Sequence, residues 1–251
     1  IFIGNYDAIG SVGVFSIASK FAHVADTIQT YVSKAYTPWL FEKLSSQEAD
    51  NKNTIRRISN ALLAIIGLFF IGIALFAQDY IMLCINKSYI DSWKYVAMII
   101  CVYSIKTMYY FYVSVLFYYK KASRLLFIAT LSGSLLNIFV SYWLIPIWGI
   151  NGSILADAIA MIVRVAIVVF ISKKEQDIGL YVSDFVKHFI LVNSFILIGL
   201  LMSFVFSIQE FSLLNFIYKV CVILIYIAWL AYEYRDRIYQ LFAKYKSKKS
   251  K

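Results

Sequence analysis

The sequence predicts an all-α fold, a polytopic bundle of about seven transmembrane helices, on three observations. Of its 251 residues 61% are hydrophobic and only 15% charged, and the mean hydropathy is +0.73, outside the balance a water-exposed globular surface allows. Apolar runs long enough to cross a hydrocarbon layer of roughly 30 Å recur from end to end. With two prolines and ten glycines, and runs much longer than barrel strands, the backbone polar groups are most simply satisfied inside helices.

The spans follow in order. Val12 to Phe41 carries repeated polar residues, and Ile58 to Ile85 follows. Val96 to Tyr119 is rich in tyrosine, Leu125 to Ile145 is followed directly by Pro146, and Ile150 to Ile171 opens after a glycine-containing turn. Phe189 to Phe206 and Phe216 to Tyr232 close the series. No connecting segment is long enough to hold a soluble domain. Tyr36, Trp39, Trp93, Trp143, Trp148 and Trp229 near span ends read as an interfacial aromatic belt.

Sorting the 24 Lys and Arg residues by connecting segment puts seventeen on one face, among them Lys43, Lys52, Arg56, Lys173, Lys174, Lys187 and Arg235. The opposite face holds Lys87 and Lys94. Positive residues stay cytoplasmic, so the N-terminus of the chain is expected outside and its C-terminus inside. From Glu233 onward, Tyr234, Ile238, Leu241, Phe242 and Tyr245 alternate with basic residues at helical spacing, as in a tail lying on the inner leaflet. The chain opens at Ile1 with neither an initiator methionine nor a visible signal peptide, as a fragment would.

A charge at mid-bilayer costs roughly 2.5 to 3.5 kcal/mol, so each needs a reason. In the first span Ser16, Lys20, His23, Thr27, Thr30 and Lys34 fall within an arc of about 80° at 100° per residue. Such a stripe faces other helices or a water-filled cavity; Lys34 is also placed to snorkel to the inner interface, and Asp26 and Gln29 broaden the polar side. Lys106 lies about 15 Å from either surface, too deep for its stem to reach water. Tyr103, Thr107, Tyr110 and Ser114 share its face, a set suited to a phosphate and stacked sugars, or else Lys106 is a structural partner for Asp157. Asp157 and Arg164 share a face about 10 Å apart along the axis, so each needs a partner elsewhere. Asn137 and Ser141 read as interhelical hydrogen-bonding groups. The cavity-lining candidates are therefore Lys20, His23, Lys34, Tyr103, Lys106, Tyr110, Asp157 and Arg164, an electropositive set suited to an anionic passenger.

Cys84, Cys101 and Cys221 sit in apolar segments without a CxxC pair and read as buried hydrophobes. There is no nucleotide-binding loop, metal motif or nucleophile with its base, so neither enzyme nor cofactor is expected, nor a nucleic-acid partner.

The stretch Asn137 to Ala160, NIFVSYWLIPIWGINGSILADAIA, resembles the oligosaccharide flippases of the multidrug/oligosaccharidyl-lipid/polysaccharide exporter superfamily, the O-antigen type. Pro146, Gly149, Gly152 and Ser153 fit its pattern of proline, outer turn and small-residue helix start. Gly10 to Leu44, with Pro38 near the inner end, is similar to the first complete helix of the family's C-terminal lobe. The resemblance implies residues 1–174 as the second lobe of a two-lobe transporter, 175–232 as two additional helices, and 233–251 as a basic cytoplasmic tail. It further implies passage of an undecaprenyl-diphosphate-linked oligosaccharide across a bacterial inner membrane for O-antigen or capsule assembly, alongside other surface-polysaccharide assembly proteins. A drug/cation antiporter would want a net acidic cavity, and a polysaccharide polymerase or ligase a large outward loop.

Overall fold

A computed structural model describes residues 9–46, 50–119, 124–175, 177–208 and 210–235. Among these the chain forms α1 (Ile9–Ser45), α2 (Asn51–Cys84), a 3₁₀ turn (Lys87–Tyr89), α3 (Ser92–Tyr118), α4 (Leu126–Glu175), α5 (Val182–Val205) and α6 (Leu213–Glu233). It is an all-α polytopic bundle, and α2 to α6 are each long and apolar enough to cross a membrane. The polar stripe of α1 keeps its composition below that standard.

The 50-residue α4 is two crossings. Gly149, at φ 53° and ψ −127°, reverses the chain in a conformation that side-chain-bearing residues rarely adopt. Asn137 reaches Asp157 and Arg164 reaches Ser134, contacts that a straight helix would hold some 30 Å or more apart. At Gly152 a Cβ would lie 2.3 Å from the Leu144 carbonyl oxygen, so the hairpin closes only on glycine. The sequence-predicted spans on either side of this turn are therefore its two arms, 126–148 and 150–175.

The helices pack in two groups. α3 contacts α1, α2, α4 and α5, while α2 carries α5 and α6 on its far side. α1 and α3 run parallel and are joined by a ladder of polar groups: Thr107 to Gln29 at 3.1 Å, Thr30 to Tyr110 at 3.1 Å and Thr37 to Ser114 at 2.9 Å. Opposite the polar stripe, Ala18, Ala22 and Ala25 are fully buried, and their small side chains let α1 approach its neighbours. Behind, the backbone at Gly67 lies against Val192 and Tyr226, and Gly199 lies against Leu75, so α2, α5 and α6 meet closely.

Most basic loop and helix-end residues gather at one end of the bundle. There Lys52 pairs with Asp177 at 2.9 Å, and Arg56 forks onto Asp184 at 2.6 and 2.9 Å while lying over the Tyr181 ring. Lys87 and Lys94 lie at the other end.

Three expectations are corrected. Tyr36 and Trp93 do not belong to a belt: they are 3% and 4% exposed, Tyr36 bonded to Ser59 and Trp93 packed on Phe204. Cys84 and Cys221 are exposed rather than buried, and Cys101 is half-buried; all three are free. The partner of Lys106 is Asp26 rather than Asp157. The basic tail beyond residue 235 lies outside the described residues.

Candidate functional site

α1 and α4 scarcely touch, and the space between them, floored by α3, is a cavity of about 410 Å³. From α1 come Phe15, Ser19 and His23; from α3, Ile99, Val102 and Tyr103; from the two arms of α4, Ser134, Asn137, Ile138, Ile154, Asp157, Ala160, Met161 and Arg164. Four of the eight sequence-derived candidates, His23 on α1, Tyr103 on α3, and Asp157 and Arg164 on α4, thus line one cavity from three helices.

The polar groups of the α4 wall are held across the hairpin. The Asn137 amide donates to Asp157, with Ser141 one turn on at 3.4 Å from the Asn137 side-chain oxygen. Arg164 Nη2 donates to Ser134 at a long 3.4 Å, and its buried Nε finds no partner among the described residues. Gly133 makes room for that guanidinium, since a Cβ there would lie 2.9 Å from Nε. An arginine with donors left over beside a cavity is a ready anion contact.

Lys106 and Tyr110 stand next to this cavity without lining it. Lys106 Nζ lies 2.8 Å from both oxygens of Asp26, one helical turn beyond His23, and sits over the rings of Tyr103 and Tyr110 at 5.2 and 5.4 Å. The Tyr110 hydroxyl also donates to Asp26 at 3.1 Å. The Lys106 and Asp26 side chains keep 19% and 23% of their surface, so the pair is not sealed. Lys20 and Lys34 are exposed on the stripe of α1, Lys34 over the Tyr31 ring at 5.4 Å. Across this face Lys20, Lys34, Lys106 and Arg164 outnumber the carboxylates Asp26 and Asp157.

Sequence reasoning weighed Asp26 only as a neutralising neighbour and missed the pairing that fixes it. It also passed over a second polar cluster, behind the cavity. Fully buried Lys219 of α6 donates to Asp79 and to the Gln78 side-chain oxygen, both at 2.7 Å, and Ser203 and Asn215 converge on the same oxygen. The available signal was depth: Asp79 lies five residues before the end of α2 and Lys219 six after the start of α6, on antiparallel helices.

No family model and no curated protein matches the chain. Among solved structures it is similar to the lipid II flippase MurJ in an inward closed conformation, with a TM-score of 0.58 and 21% identity over 94% of this chain and 50% of that one. The likeness is one of fold. The chain spans about half the length of that protein.

Proposed function

We propose that this chain supplies one lobe and two additional helices of a flippase that carries an undecaprenyl-diphosphate-linked oligosaccharide across a bacterial inner membrane for O-antigen or capsule assembly. Residues 1–174 are the lobe, 175–232 the added helices, and 233–251 a cytoplasmic tail; the N-terminus of the chain lies outside. The observation that carries the reading is the cation-rich face of α1, α3 and α4, exposed among the described residues, around a cavity between helices of the bundle. The likeness to a flippase that handles lipid II supports it.

Arg164 and Lys106 draw the diphosphate out of the headgroup layer, Lys20 and Lys34 extend the positive path along α1, and Tyr103 and Tyr110 offer ring faces to sugars. Such a site only positions an anion; alternating exposure of the cavity to the two leaflets does the transport, while the polyprenyl tail stays in lipid. His23, Asn137 and Asp157 add hydrogen bonds of both polarities, as a sugar needs. An organic-cation antiporter is disfavoured because cations outnumber carboxylates on this face. A polymerase or ligase is disfavoured because the turns joining α2 to α3 and α5 to α6 are short.

Deleting the gene and assaying the leaflet distribution of radiolabelled lipid-linked oligosaccharide tests the reading. Inward accumulation is expected, reversed by the intact protein and not by Lys106→Ala. An unchanged distribution in a strain with no second flippase removes the assignment.

A further inference from the structure

We propose that Asp26 is a resident stand-in for the ligand's phosphate, and that the anionic headgroup binds by exchange, its oxygens replacing the Asp26 carboxylate on Lys106. This inference rests on the flippase reading and adds to it a competitor built into the site.

The geometry of the resting pair is that of an anion already bound. Both Asp26 oxygens lie 2.8 Å from Lys106 Nζ, the arrangement two phosphate oxygens would offer the same ammonium. An ammonium at this depth without a counter-ion would carry a large desolvation cost, so an empty transporter needs an anion of its own there. The tyrosine rings at 5.2 and 5.4 Å hold the ammonium by its charge alone, and so hold it whichever anion faces it. When Asp26 yields, the Tyr110 hydroxyl, 3.1 Å from its Oδ1 and 3.1 Å from Thr30, remains as a donor on α1's side.

Exposure separates this pair from an ordinary membrane staple. Lys106 and Asp26 retain 19% and 23% of their side-chain surface beside a cavity that Tyr103 lines, whereas Lys219 and Asp79 retain 0% and 5%. A ligand can reach the first pair and not the second. Breaking the resident contact subtracts from the ligand's binding free energy, which keeps affinity low enough for release into the opposite leaflet. A diphosphate, with more charge than a carboxylate, wins the exchange where a monoanion competes poorly.

Binding to the whole protein in lipid nanodiscs tests the exchange, with a short-chain polyprenyl diphosphate and inorganic pyrophosphate as probes. Asp26→Asn is expected to bind the lipid probe about tenfold more tightly than the wild type and to release it more slowly. Lys106→Met and the double variant are expected to lose that binding. Asp26→Ser repeats the comparison should the amide not fold. Displacement of the lipid probe by pyrophosphate assigns recognition to the phosphates alone; its failure assigns it to the lipid-borne headgroup, and the exchange stands in both cases. Equal or weaker binding by folded Asp26→Asn and Asp26→Ser overturns the exchange while leaving the flippase reading in place. No binding of either probe by any form overturns both.

Discussion

Two ion pairs inside the bundle have nearly the same contact distance and opposite surroundings. Lys219 and Asp79 meet at 2.7 Å with 0% and 5% of their side-chain surface exposed, and the Gln78 side-chain oxygen accepts further bonds from Ser203 and Asn215. Lys106 and Asp26 meet at 2.8 Å, a fifth exposed, between tyrosine rings and beside a cavity. On the proposed flippase reading, access rather than distance separates the pair open to a ligand from the pair that holds the fold. The sealed pair joins α6 to α2, where its desolvation is offset by partners on three helices; the open pair joins α1 to α3 and lies next to the cavity without lining it.

The sharpest break in that comparison is Lys219→Met. It strands the Asp79 carboxylate, whose Oδ1 has no partner among the described residues, and is expected to cost about 3–5 kcal/mol of stability. Adding Asp79→Leu should restore most of it, because removing both charges leaves nothing uncompensated. Thermal unfolding in detergent compares the two; a double variant no better than the single would mean that the hydrogen-bonded network, not the charge pair, holds α6.

Next in size is Gly152→Ala, whose Cβ would lie 2.3 Å from backbone at Leu144. The α4 hairpin cannot open there without shifting the Asn137–Asp157 wall, and a loss of about 1–3 kcal/mol is expected from overpacking. Crosslinking between the arms should weaken in parallel.

How far the sequence reaches is visible in these same residues. The α4 turn was legible because Pro146, Gly149 and Gly152 are local signals, and the stripe of α1 because helical periodicity puts its members on one side. Lys106 stood out by depth alone. Its partner did not, since Asp26 lies 80 residues away and the choice between it and Asp157 depends on which helices pack. The Lys219 cluster draws on α2, α5 and α6 at once, a convergence no single-span pattern displays. Tyr36 and Trp93 misled because a span-end aromatic looks the same whether it turns to the interface or, as here, into the core.

The smallest effect belongs to the pairs at the basic end. Arg56 and Lys52 hold the Asp184 and Asp177 carboxyls below the usual carboxylate range, chiefly through their hydrogen bonds. Their contribution is therefore complete above the unfolded pKa of about 4 and is lost as pH falls through the lower folded values. Arg56 is 47% exposed, so Arg56→Ala should lower stability at neutral pH by less than either substitution above, and the difference should shrink in acid. Unfolding measured across that range checks the sign.

The most direct test of the account reads stability and translocation together in Lys106→Met and Lys219→Met, reconstituted in proteoliposomes. The account predicts a crossed result: Lys106→Met melts close to the wild type and fails to move a diphosphate-linked oligosaccharide, while Lys219→Met melts far lower and, in the fraction that stays folded, still moves it. Normal translocation by Lys106→Met, or equal destabilisation by the two substitutions, would contradict it.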